Sequence, residues 1–186
     1  LTVWGAYETV PPHCWPPAER KGGLAGWRET VAMAKRHGYL FSAYHAYSPM
    51  LAHEPGYDPA LGRRRADGKP DLQARWEDVC ATFYRRLAAE GIDREVAAVA
   101  PNCDFTDILG VTGLNECHAP EHGMSRTRDM ELRLDFFRHV RSLGLVNSTE
   151  GGMDYLVPAV DIFDGLSYWG DPRVMQTGFT APLFNL

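Results

Sequence analysis

Several absences narrow the reading of this chain before any residue is singled out. No stretch approaches the ~18 consecutive apolar residues of a membrane span, and the N-terminus lacks the basic-then-apolar order of a secretory leader. Neither a span nor a retained leader is expected, and the compartment stays open between secreted, periplasmic and cytoplasmic. Positive charge is scarce: 19 Lys and Arg stand against 24 Asp and Glu, and Arg63-Arg64-Arg65 is the longest basic run. A nucleic-acid binder needs a basic face that this sequence does not supply, so a small neutral partner is expected. The four cysteines, Cys14, Cys80, Cys103 and Cys117, form no CxxC pair, which excludes a zinc ribbon and a redox motif. Reduced buried thiols and a disulfide both stay open. A GxSxG elbow and a Walker A loop are absent, so serine hydrolase and P-loop chemistry have no support. His118-Ala-Pro-Glu-His122 does match the H-x-x-E-H pattern of inverted zinc peptidases. That pattern works on a helix, and Pro120 breaks one; no metal and no cofactor are expected.

What is present suits one globular domain over residues 1–186: 45% of the residues are hydrophobic, 23% are charged, and no internal repeat occurs. Residues 1–8 read as a strand, and the four prolines of PPHCWPP make the following segment a loop. Over 26–38, Trp27, Val31, Ala34 and Ala32 fall at helical spacing, with basic residues near the end and Gly38 as the stop. Residues 39–50 are an aromatic-rich strand. A long loop is predicted over 51–72, then a helix over 73–90 with Trp76, Val79, Cys80, Phe83 and Leu87 on one stripe. A short helix follows Asp93, and a strand then leads to Asp107. A further helix starts at Ser125 or Thr127, carries Met130, Leu134, Phe137 and Val140 on its core side, and stops at Gly144. Residues 145–152 and 162–170 complete a count of about five strands alternating with helices, an α/β class with a parallel sheet. A closed eight-stranded barrel takes about 250 residues. The expectation is therefore an incomplete parallel (β/α) barrel, a TIM-barrel fragment, with a small doubly wound open sheet as the alternative.

Asp107 and Glu150 stand at the ends of consecutive strands. Parallel strands deliver their C-terminal ends to one face, where barrel enzymes keep their chemistry. Two carboxylates facing one cleft are what glycoside hydrolysis needs, one as nucleophile or base and the other as proton donor. The plainer reading of Asp107 is a loop or helix cap, and of Gly151-Gly152 a strand-to-helix turn rather than room for a sugar. Asp104, three residues before Asp107, points to the opposite face of its strand.

Several short motifs occur in a fixed order: AYHAYSPM, PGYDPA, ADGKP, TDILG, NECHAPEHGMSRTRD, STEGGMD and VDIFDGLSYW. In this order, over residues 39–169, the chain resembles barrel glycoside hydrolases related to the endo-α-N-acetylgalactosaminidases. The resemblance departs at His122-Gly123, where His-Pro is expected. It implies a carbohydrate substrate, Asp107 as nucleophile and Glu150 as general acid/base. His45, Tyr47, Glu116, His122, Arg126, Asp154 and Trp169 share positions after strands, where loops form a cleft, and are candidates for hydroxyl binding and stacking, although each taken alone reads first as structural; Asp161 is the counterpart of the aspartate of the last strand. The remainder of the barrel, or further domains, would complete the enzyme. Arg126 reads equally well as neutralising acidic residues of its own loop. The rival readings are a carbohydrate-binding relative without turnover and a metal-dependent hydrolase using His118, His122 and a carboxylate.

Overall fold

The computed structural model describes residues 2–73 and 75–164. Five strands form a parallel sheet: β1 (Thr2–Val3), β2 (Ser42–His45), β6 (Cys103–Thr106), β7 (Val146–Glu150) and β8 (Ile162–Asp164). Their spatial order is β1-β2-β6-β7-β8, which is the order of the chain. A doubly wound sheet reverses direction at a switch point, and no such reversal occurs among the described strands. The sheet is singly wound, the winding that a barrel requires, although among the described residues it does not close on itself. No helix of the described residues is long and apolar enough to cross a membrane.

Helix α1 (Gly23–Arg36) buries Trp27, Val31 and Ala34, as their spacing predicts, whereas Ala32 is exposed. Gly38, at φ +75, ends it in the left-handed conformation that glycine adopts without strain. Helix α4 (Arg126–Ser142) starts at Ser125, whose hydroxyl accepts the Arg128 amide, and stops at Gly144 with φ +81. Its core side is shifted from the predicted stripe. Phe136, Phe137 and Val140 are buried, and so is an Asp129–Arg133 pair one turn apart.

The predicted helix over 73–90 is corrected in its first half. Here the chain forms β4 (Leu72–Gln73) and β5 (Trp76–Asp78), and β5 pairs antiparallel with β4 on one side and with β3 (Pro49–Leu51) on the other. Helix appears only in α2 (Tyr84–Glu90), after a 3-10 turn at Ala81–Phe83, and continues in α3 (Ile92–Val99). Tertiary ion pairs override the helical spacing: fully buried Glu77 binds Arg64 and the Tyr57 hydroxyl, and Asp78 binds Arg63. A carboxylate cannot be buried without such partners.

The parallel register assigns faces. Tyr44 lies beside Phe105, Phe105 beside Ser148, and Glu150 beside Asp164. These residues share one face because side chains alternate along a strand. The other face, carrying His45, Asp104, Thr106 and Asn147, is covered by helices: Glu95 of α3 reaches His45, and Asn147 donates to the Phe137 carbonyl of α4.

Candidate active site

Asp107 follows β6 directly. Its amide donates to the His45 carbonyl at 2.8 Å, so the main chain is still held by β2 at this residue. The next residue, Ile108, has φ +72. A β-branched side chain rarely adopts that conformation, and strain of this kind collects at functional sites. The Asp107 side chain is 8% exposed and accepts a hydrogen bond from the Tyr44 hydroxyl across the β2–β6 pair.

Glu150 ends β7 on the same face, half-buried, where its carboxyl interacts with that of Asp107. Burial pushes the Glu150 carboxyl above the ordinary glutamate range, and the hydrogen bond with Asp107 and the charges of Asp107 and Asp164 push the same way. Crowded carboxylates cannot all ionise easily, so one tends to hold a proton. Tyr44 keeps its own proton: burial raises its pKa, and the Asp107 carboxylate raises it further. The ring of Trp4, 64% exposed, stacks on Tyr44 with centroids 4.0 Å apart. A wet aromatic face thus lies beside a pair of acids.

The loops carrying the acids pass each other closely. A side chain on Gly110 would meet the Glu150 carbonyl at 2.4 Å, and one on Gly151, at φ +70, would meet Val111 at 2.8 Å. Gly151 therefore serves the turn and the close approach of the two loops, the plainer of its two sequence readings. From below, Arg133 binds both Asp129 oxygens and donates to the carbonyls of Leu109, Thr112 and Gly113. Asp129 also accepts the Asn115 amide at 2.7 Å, so the loop after Asp107 is fastened to α4 along much of its length.

The other expected ligands fall elsewhere. His45 and Tyr47, 1% and 0% exposed, point into the core and do not line the cleft. The His45 ring is held by Asp104 at 2.7 Å, Glu95 at 3.2 Å and the Tyr7 hydroxyl at 2.8 Å. Burial alone would lower its pKa, but Asp104 and Glu95 hold it well above the usual histidine value. Glu116 pairs with His118 and Arg126, each at 3.6 Å on the surface, so Arg126 neutralises its own loop. Asp154 accepts the Tyr155 amide in a short turn, and Asp161 binds Arg141 and the Asn147 amide. His122 sits against Phe83 and Cys117 instead of among the carboxylates. Trp169 lies outside the described residues.

Sequence reasoning passed over Trp4, Tyr44 and Asp164. Tyr44 shares a face with Asp107 and is one residue from His45, so strand alternation was the available signal, but only the register says which parity faces the acids. Asp164 belongs with Glu150 because they pair across β7 and β8, and nothing local distinguishes it from Asp161.

No protein-family model and no curated protein sequence matches the chain. Solved structures do. The α-N-acetylgalactosaminidase of Bifidobacterium bifidum in its GalNAc complex matches with a TM-score of 0.79 and 23% identity over 85% of this chain and 26% of that one. The α-galactosidase of Thermus thermophilus matches with a TM-score of 0.61 and 15% identity, over 86% of this chain and 33% of that one. A maltogenic α-amylase of Thermotoga neapolitana matches with a TM-score of 0.51 and 13% identity, over 74% and 31%. The chain spans about a quarter of the length of the first of these. At these identities the likeness is one of fold: the chain shares a mostly parallel α/β architecture with part of these glycosidases.

Proposed function

We propose that this chain carries the acid pair of a (β/α)-barrel glycoside hydrolase, with Asp107 as nucleophile and Glu150 as general acid/base. One observation carries the reading: the two carboxyls stand at the C-terminal ends of adjacent parallel strands and interact, and Glu150 is the one pushed towards protonation. A retaining pair is set about 5 to 5.5 Å apart and an inverting pair about 6.5 to 9.5 Å.

Asp107, held by Tyr44, attacks the anomeric carbon while Glu150 gives its proton to the glycosidic oxygen. The carbon–oxygen bond to the leaving group breaks, and an ester forms between the sugar and Asp107. Glu150, now ionised, takes a proton from water, which attacks the same carbon and releases the sugar and free Asp107. The exposed face of Trp4 beside Tyr44 suits stacking against the apolar side of a pyranose. The names of the similar structures point to an α-linked galactose or N-acetylgalactosamine unit as the substrate class. The remaining strands of the barrel are supplied outside the described residues.

The test uses the full-length protein on a panel of p-nitrophenyl α- and β-glycosides. Hydrolysis of an α-galacto-configured member, abolished by Asp107→Asn, is the expected result. Glu150→Gln should lower turnover by about 10²- to 10⁴-fold. Sugar binding by calorimetry without hydrolysis of any panel member would move the chain to the non-catalytic reading.

A further inference from the structure

The loops flanking the acids bring together three residues that the acid chemistry does not use. Cys80 follows β5, while Cys117 and His122 lie in the loop after β6, and their donor atoms fall within 4.8 Å of one another. Both thiols are buried, at 0% and 3% exposure. Cys117 Sγ and His122 Nδ1 are 3.6 Å apart. A tetrahedral zinc with bonds of about 2.3 Å to sulfur and about 2.0 Å to nitrogen places such a pair roughly 3.5 Å apart. The Cys117–His122 edge already has that length, and the Cys80 donor lies within 4.8 Å of both.

The surrounding backbone builds this arrangement deliberately enough to matter. Cys117 and Met124 exchange two backbone hydrogen bonds of 2.8 Å, closing a short loop that returns His122 to Cys117. Pro120, which keeps this segment from forming a helix, permits that return. The Arg64 amide donates to Cys117 Sγ at 3.4 Å, a bond of the kind that steadies a metal-bound thiolate. The His118 amide donates to the Arg64 carbonyl at 2.9 Å, so the loop before β4 and the loop after β6 are already laced together at this point. His122 also lines an open pocket of about 740 Å³, together with Thr82, Phe83 and Glu121, which gives solvent access to its side of the cluster.

We propose that Cys80, Cys117 and His122 bind a tetrahedral zinc ion, with a water from the adjoining pocket as fourth ligand. Two thiolates and an imidazole select a soft or borderline metal over calcium or magnesium, which take oxygen. The ion fastens the loop after β5 to the loop that begins at Asp107. This site is independent of the glycosidase reading and would stand if that reading fell.

The full-length protein, purified without chelator, is analysed for zinc beside C80S/C117S, H122N, and the controls C14S and C103S. The wild type and both controls should carry one zinc per chain more than C80S/C117S and H122N. After removal of zinc and addition of cobalt(II) chloride, the wild type should show thiolate-to-cobalt charge-transfer absorption that H122N loses or shifts. H122N changes a loop residue outside the core, so it keeps the test decisive if the double variant fails to fold. Equal zinc in the wild type and H122N overturns the proposal. So does a Cys80–Cys117 disulfide in the non-reduced peptide map.

Discussion

The Tyr44 hydroxyl donates its hydrogen bond to Asp107 from the neighbouring strand, and the exposed ring of Trp4 covers Tyr44 from outside. Tyr44 therefore both orients the acid and carries the aromatic face beside it. A hydrogen bond to a charged group contributes about 1.5 to 3 kcal/mol. Tyr44→Phe should lower kcat/KM of the full-length protein by about ten- to a hundredfold while leaving the circular dichroism spectrum unchanged. An unaltered rate would show that the bond does not position the acid.

Glu150 must be protonated to act as an acid, so activity should fall as pH rises through its raised pKa. Asp164 contributes to that rise through its negative charge. In Asp164→Asn the repulsion is gone and the Glu150 pKa comes down, so the alkaline limb of the kcat profile should move to lower pH. A limb that stays in place would mean that another group controls it.

His45 lies beneath the site, between Asp104 and Glu95. His45→Gln leaves two buried carboxylates without their cation, a change that costs about 3 to 5 kcal/mol. The pH dependence follows from the directions of the shifts. The His45 pKa is raised in the folded chain, so its contribution is complete below the unfolded histidine value of about 6.5 and is lost as pH climbs through the folded value. Burial opposes ionisation of Glu95, but His45 outweighs it and the Glu95 pKa is lowered. Its contribution is present above about 4.3 and is lost as pH falls through the folded value. Urea unfolding followed by tryptophan fluorescence should show the largest gap between wild type and variant between those two limits, narrowing on either side.

Arg133 is 1% exposed and joins Asp129 of its own helix to three carbonyls of the loop after Asp107. Arg133→Met strands the Asp129 charge and should destabilise the protein by about 3 to 5 kcal/mol. Arg133→Met combined with Asp129→Asn should recover part of that loss, because the unpaired charge is gone. Thermal unfolding of the two variants checks the order; a double variant less stable than the single one would contradict it.

Much of the scaffold was legible in the residues. The caps at Ser125, Gly38 and Gly144 are local chemistry, and each acts at its expected place. Asp107 and Glu150 could be placed at strand ends because strand, loop, helix and strand follow one another over a short stretch. The helix predicted through Trp76 failed in its first half because the ion pairs of Glu77 with Arg64 and of Asp78 with Arg63, made across the chain, override its helical spacing.

The cluster of Cys80, Cys117 and His122 was hidden for a related reason. The segment around Pro120 is not a helix, as its proline predicts, yet His122 meets Cys117, five residues away, and Cys80, from another loop. Linear spacing does not show a donor set assembled by two loop paths.

The sequence by itself determined the α/β class, the principal helices and the arrival of two acids at the ends of successive strands, because these follow from local periodicity and capping. Only the tertiary structure decided that Tyr44 and Asp164, and not His45, Tyr47 or Asp161, stand with those acids. A shift of one residue in register exchanges the faces of a strand. That register is set by pairing and burial between segments far apart in the chain.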